Sequence, residues 1–290
     1  MGASRPLALA ALALAAGAAI SGCGDERGAP EQPPAELLRT AAADPARSGE
    51  AQVDLELRLD GSSLLAGVTR VHLDGPFELA DDRGLPSFGF ALEAEVAGFG
   101  VDGELVSTGD DAFVVFFGEN YRVGPERVAA IESQLAAATG GGAGLGLDIA
   151  DWFEQPRYAG EEEVAGAEAE RIEATLRTEA VARDLSGLAG AIGAPAIVEA
   201  LAAGAEPGPI EAWVAFDDST VRRLRTQFPF TVPVAQRSST QGITGGVVSL
   251  DAEISEVGAE VEIEPPPGGG FQPIEQLARR LRDLASLGGL

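Results

Sequence analysis

The sequence predicts an α+β fold: a single strongly curved antiparallel β-sheet, a half-barrel, wrapped over helices. Three observations carry this reading. Period-two alternation of apolar and polar residues recurs in two batches, each broken by turn residues. Helical segments are inserted between the batches rather than after every strand, which argues against parallel βαβ units. One sheet with that many strands must twist strongly and tends to curl, so helices on its concave side would complete a single domain.

The elements follow in order. Arg5 and the free amine precede Leu7–Ile20, an unbroken Leu/Ala/Gly run too short for the roughly 20 apolar residues of a membrane-spanning helix. Residues 1–22 therefore read as a secretory signal peptide. The sequence Ile20-Ser21-Gly22-Cys23 resembles a bacterial lipobox, and Cys23 is the only cysteine. The resemblance implies a diacylglyceryl thioether on the Cys23 sulfur and cleavage before it. Two acyl chains anchor durably where one does not, at ~0.8 kcal/mol per buried methylene. With its thiol alkylated the mature chain forms no disulfide. Residues 23–34 are polar and Pro-rich, a lipidated tether extended at ~3 Å per residue.

Ala35–Ala43 reads as a short helix stopped at Asp44-Pro45. Val53, Leu55, Leu57 and Leu59 alternate with polar residues up to Gly61. Val68–Leu73 is the second strand, and Asp74-Gly75 predicts a turn before Phe77. Phe88, Phe90, Leu92, Ala94 and Val96 form the third, continued by Val101–Thr108. Ala112–Phe117 is apolar at every position, which predicts a central strand covered on both faces. Tyr121 and Val123 follow the Gly118-Glu119-Asn120 turn. Pro125 opens a helix to about Ala138, broken by Gly140–Gly146, and Ile149–Phe153 is a short apolar turn. Glu161–Gly166 and Glu170–Leu176 pair across Ala165-Gly166. Thr178–Ala203 carries two helical segments. Ile210–Phe216 and Val221–Phe228 form a hairpin, and Val247–Ile254 is expected to pair with Ala259–Ile263 across Val257-Gly258. Pro265–Gly270 is a linker, and Pro273–Leu287 an amphipathic helix. The domain is set at residues 35–267, with 268–290 as linker and C-terminal helix.

Charge and residue types exclude several functions. The formal charge is −26, and all 20 basic residues are arginine. Nucleic-acid binding needs basic groups that displace phosphate counterions, so it is excluded. The acidic body is repelled by anionic headgroups, leaving the lipid as the anchor. His72 is the sole histidine, lies within a strand, and no G-x-S-x-G elbow accompanies it, so no catalytic residue is assigned. One histidine and an alkylated cysteine leave only carboxylates for a metal. Asp81-Asp82, Asp110-Asp111 and Asp217-Asp218 sit at turns, where aspartate bonds the local backbone, and none has EF-hand spacing. No cofactor is expected.

The order of lipobox, short helix and alternating strands leads to Asp110-Asp111-Ala112-Phe113-Val114-Val115-Phe116-Phe117-Gly118-Glu119-Asn120-Tyr121. Glu163–Ile172, Glu211–Asp217 and Ile254–Gly258 complete the pattern. From about Ala35 to Pro267 it resembles the LppX/LprG group of mycobacterial lipoproteins, whose fold is similar to LolA and LolB. The 178–203 helical segment is longer than that group needs, and the tail after Pro267 has no counterpart in it. The resemblance implies a hydrophobic cavity for acylated lipids or glycolipids. The protein is then expected on the outer face of the bacterial cell membrane, held by the Cys23 anchor, transferring or presenting lipid in the envelope with no catalysis and with an envelope lipid transporter as a possible partner. A ligand-free envelope scaffold or sensor is the alternative, since fold does not dictate function. The cavity candidates are Leu55, Leu57, Leu59, Phe88, Phe90, Leu92, Phe113, Val115 and Phe117. Each alone reads as ordinary core; as a set they could accept acyl chains without stranding polar groups. The C-terminal helix has two readings: docked on the domain by Ile274, Leu277 and Leu281, or lying on the membrane with Arg279, Arg280 and Arg282 on anionic headgroups.

Overall fold

In the computed structural model one unclosed 12-stranded sheet organises the chain. The strands are β1 (Ser48–Gly61), β2 (Gly67–Glu78), β3 (Ser87–Val96), β4 (Phe99–Thr108), β5 (Ala112–Phe116) and β6 (Glu119–Arg122). They continue as β7 (Phe153–Val164), β8 (Ala167–Leu176), β9 (Pro209–Ala215), β10 (Val221–Thr231), β11 (Ile243–Ser255) and β12 (Gln272–Pro273). The spatial order is β12-β6-β5-β4-β3-β2-β1-β11-β10-β9-β8-β7. The described residues are 32–61, 67–80, 85–96, 99–139, 148–184, 203–238, 240 and 242–287. The signal peptide, Cys23, most of the tether, the Gly140–Gly146 break and most of the 178–203 segment lie outside them. Pro33–Leu290 forms a unit of its own.

The two strand batches join where β1 pairs β11, with Leu55 opposite Leu250 and Leu57 opposite Val248. Every ladder is antiparallel except β12 on β6, so the sheet is mixed. Alternation carries through the register: Leu55, Val71, Ala94 and Val101 stand in one cross-strand row, and Asp54, His72, Glu93 and Asp102 in the next. The sheet therefore has an apolar inner face and a charged outer face.

The tightly packed core occupies the inner face of β7 to β11. Helix α1 (Pro34–Ala43), with proline at its first turn, buries Leu38 and Ala41 there. They meet Trp152, Phe153, Ile172, Leu176, Ile210, Ala212, Phe228 and Phe230. Asp184 accepts from Trp152 Nε1 at 2.8 Å and from the Asp148 amide, tying the helical residues 178–184 to the 3-10 turn Ile149–Trp152. Helix α2 (Pro125–Thr139) buries Val128.

Three expectations are corrected. Asp74-Gly75 is no turn: β2 runs straight through it. Gly75 is instead a close approach, where a Cβ would stand 2.1 Å from the Gly89 carbonyl oxygen. Residues 259–263 form no strand, because β11 is already paired on both sides, by β1 and β10. They begin a strap that crosses the outer face. The Ser48 hydroxyl donates to the Ala259 carbonyl at 2.8 Å, Ile263 reaches Gly89, and Asn120 Nδ2 donates to the Pro267 carbonyl at 3.1 Å. Phe271 then packs on Phe113, centroids 5.0 Å apart, before β12 covers the free edge of β6. Finally, Ala112–Phe117 is not central. It is apolar on both faces because the strap covers its outer one.

The C-terminal helix (Ile274–Leu287) docks on β6. Leu277 is buried, Arg280 donates to Glu119 and to the Tyr121 hydroxyl, and Arg127 of α2 bonds Glu275 at 2.7 Å. Tyr121 is 0% exposed. Deleting residues 271–290 is therefore expected to lower the melting temperature by several degrees, since it bares Tyr121 and the edge of β6. Unchanged melting in a thermal scan would show the helix to be undocked.

One carboxylate works against the fold. Burial, and then Glu161 nearby, raise the pKa of Glu170. An acid that holds its proton more tightly when folded loses stability as pH rises through the window above the ordinary carboxylate range. Glu170→Gln is expected to raise the melting temperature at pH 7 and to leave it unchanged at pH 3, where both forms are neutral.

Candidate functional site

The inner face divides in two. Over β7 to β11 it is closed by α1 and the 3-10 turn. Over β1 to β5 its apolar side chains are only half buried: Leu55, Leu57, Leu59, Val71, Leu73, Phe88, Phe90, Leu92, Leu105, Val114 and Phe116. Register aligns them in rows, Leu73–Leu92 and Phe90–Leu105–Val114 among them. Phe88 and Phe90, two apart on β3, stack at 5.0 Å with their planes 12° apart. A close-packed interior would bury such residues almost fully. Here a broad apolar surface continues from the core with its packing unfinished.

Six of the nine sequence candidates, Leu55, Leu57, Leu59, Phe88, Phe90 and Leu92, lie together on this face. Three do not. Phe113 and Val115 point to the outer face, since Val106 pairs Phe113 and Glu104 pairs Val115. Phe113 is buried there against Phe271. Phe117 leaves the sheet altogether: it occupies the β5–β6 turn at φ +51° and is 60% exposed. The positions that β5 contributes to the inner face are Val114 and Phe116. A run apolar at every residue carries no phase, so alternation could not have told the two sets apart.

The outer face is of another kind. A cavity of about 890 Å³ on it is lined from β4 round to β9 by residues such as Asp102, Glu93, His72, Asp54, Asp251 and Arg225. Its charges are largely paired. Arg70 bonds Glu56 at 2.9 Å and Glu95 at 3.2 Å, and His72 Nδ1 lies 2.7 Å from Asp54. That contact lowers the Asp54 pKa against the opposing effect of burial. Among the described residues no serine or threonine hydroxyl bonds to His72. Beside the cavity Arg171 and Arg223 flank the Trp213 ring at 5.7 and 5.4 Å, each also held by carboxylates, Glu211 and Asp251. These are braces across strands. Among the described residues no group of His, Cys, Asp and Glu side chains converges as a metal site would, and no helix is long and apolar enough to cross a membrane.

The turn aspartates act as local caps. Asp218 accepts from the Thr220 amide and hydroxyl at 2.9 and 2.7 Å, and Asp111 takes the amides of Ala112 and Gly124 and the Arg122 guanidinium at 2.5 Å.

No protein-family model matches the chain, and no curated protein matches it. Among solved structures it is similar to the lipoprotein LprF from Mycobacterium bovis, at 16% identity over 81% of this chain and 97% of that one, with a TM-score of 0.48. It is similar also to the Mycobacterium tuberculosis lipoprotein LppX, at 14% identity over 79% of this chain and 96% of that one, TM-score 0.40. A LolA superfamily protein from Nitrosomonas europaea gives 8% identity over 81% and 94%, TM-score 0.21.

Proposed function

We propose that the protein is an extracytoplasmic lipoprotein, anchored through Cys23 to the outer face of the cell membrane, that binds acylated lipids or glycolipids for transfer or presentation in the envelope. The observation that carries this is the half-buried apolar face over β1 to β5, continuous with a finished core. An acyl chain laid against Leu55, Leu57, Phe88, Phe90 and Leu92 meets no unpaired polar group. Burial of about sixteen carbons contributes on the order of 12 kcal/mol, most of it exchanged against the bilayer the lipid leaves. Near-thermoneutral exchange suits a carrier. The protein is not an enzyme in this reading: its one histidine is spent on Asp54 in a sheet brace.

The test is native mass spectrometry of residues 24–290, which lack the anchor cysteine. The expected result is a folded chain carrying an acylated lipid lost on collisional activation. A folded chain without lipid, from cells that make such lipids, would favour the scaffold or sensor reading. The anchor has its own check. Cys23→Ala is expected to release the chain from the membrane fraction and block processing, because among the described residues no helix is long and apolar enough to cross a membrane. Retention of Cys23→Ala on membranes washed at high salt would overturn it.

A further inference from the structure

The two ends of the sheet differ in kind. At one end lie the β4–β5 turn with Asp110 and Asp111, the β9–β10 turn with Asp217 and Asp218, and Glu256 after β11. At the other end lie the β5–β6 turn and the β10–β11 loop, residues 232–242, whose one charge is Arg237. Registers place both at the end where β1 passes into β2, with Gly61 opposite Ile243 and Gly103 opposite Phe116. Asp60, Glu206 and Glu119 stand at this end too, Glu119 held by Arg280, so the described charges here nearly balance where the other end is acidic.

The exposed side chains sharpen it. Phe117 and Val234, 60% and 76% exposed, both stand at the less acidic end. Phe117 and Gly118 form a two-residue turn with φ of +51° and +71°. Asparagine or glycine suits the first position, and a bulky aromatic there costs backbone energy. The chain thus holds a phenylalanine in water on a strained turn, where a smaller residue would be more stable. Its ring makes an edge contact at 4.5 Å with Phe116, an inner-face residue. The apolar row of Leu57, Leu59 and Phe116 runs out to this same end. On the β7–β9 side the end becomes charged again, with Asp151 bonded to Arg177 and Arg183.

We infer that this end, from β6 across to β10, is a membrane-contact rim: Phe117 and Val234 insert into the lipid surface and bring the open end of the apolar face against the bilayer. A lipid surface is the partner that fits, since Phe117 and Val234 are exposed apolar tips and the described charges beside them nearly balance, Asp60, Glu119 and Glu206 against Arg237 and Arg280, while the aspartate-rich end faces away. The inference gains its purpose from the lipid-binding reading, but its geometry stands apart from it.

The test uses residues 24–290, without the lipid anchor, cosedimented with phosphatidylcholine vesicles and again with phosphatidylglycerol mixed in. The expected result is measurable binding to both. Phe117→Asp and Val234→Asp should each lower the partition coefficient at least about tenfold, because one inserted apolar side chain is worth that factor. Phe216→Asp, at the acidic end, should not lower it. Phe117→Gly should raise the melting temperature and still lose binding, which separates a contact role from a folding one. Wild-type binding that survives both aspartate substitutions, or no wild-type binding at all, would overturn the rim. Lipid carried by the chain, read by native mass spectrometry, is a separate measurement: Phe117→Asp should leave it unchanged. Rim-dependent vesicle binding by a chain that carries no lipid would remove the lipid-binding reading and leave the rim.

Discussion

Leu57→Asn and Phe90→Asn, separately and together, are expected to cut the lipid recovered with the protein about tenfold or more, while Val115→Asn leaves it unchanged. Leu57 and Phe90 lie on the half-buried inner face, on β1 and β3. An amide there must be desolvated by the acyl chain with no partner in reach, at a cost of about 1–3 kcal/mol per site. Val115 sits one residue along β5 from the inner-face Val114 and Phe116, but opposite Glu104 on the outer face. The same substitution there touches no lipid. Because neither inner-face position is fully buried, the domain should lose only about 1–2 kcal/mol, so folded protein remains to be measured. Lipid counts per chain by native mass spectrometry decide it. Equal loss at all three positions would mean general destabilisation; loss at Val115 alone would place the lipid on the outer face.

A second large effect is expected at the joint between the two strand batches. Gly246 of β11 lies where a Cβ would stand 2.0 Å from the Arg58 carbonyl oxygen of β1 and 3.0 Å from Phe230 Cε1. No rotamer relieves a clash with backbone. Gly246→Ala must push β1 away from β11, breaking the ladder that ties β1–β6 to the core under α1. The expected cost is about 3 kcal/mol or more, roughly a 10 °C fall in melting temperature for a domain of this size. Gly166→Ala is the comparison. Nothing lies within 4 Å of its Cβ position, and the cost there comes only from a φ of +76°, so about 1 kcal/mol is expected. If the two variants melt together, the close approach of β1 and β11 is not what requires glycine at 246.

How much was legible depended on whether a segment carried a phase. Leu55, Leu57 and Leu59 against Asp54, Glu56 and Arg58 assign their own faces, and the structure keeps both assignments. The same holds for Phe88, Phe90 and Leu92. Ala165-Gly166 was readable as a turn from residue chemistry, with φ of +52° and +76° now observed. Asp74-Gly75 has the same kind of signature and is no turn. Its glycine serves a contact with β3, and a contact between distant strands leaves no local trace. Residues 259–263 alternate as a strand would, yet the partner they needed had been taken by β10.

The sequence by itself determined the acidic charge, the two batches of strands and the polarity of the strands that alternate, β1 and β3 among them. These are local properties, written in single residues or in a period of two. Tertiary structure alone decided the rest: the phase of Ala112–Phe116, the strap over the outer face, the docking of the C-terminal helix, and the separation of a finished core from an unfinished apolar face. Each of those depends on which strand lies beside which. Pairings between residues as far apart as Asn120 and Pro267 are settled by the competition of the whole chain for two faces and two edges.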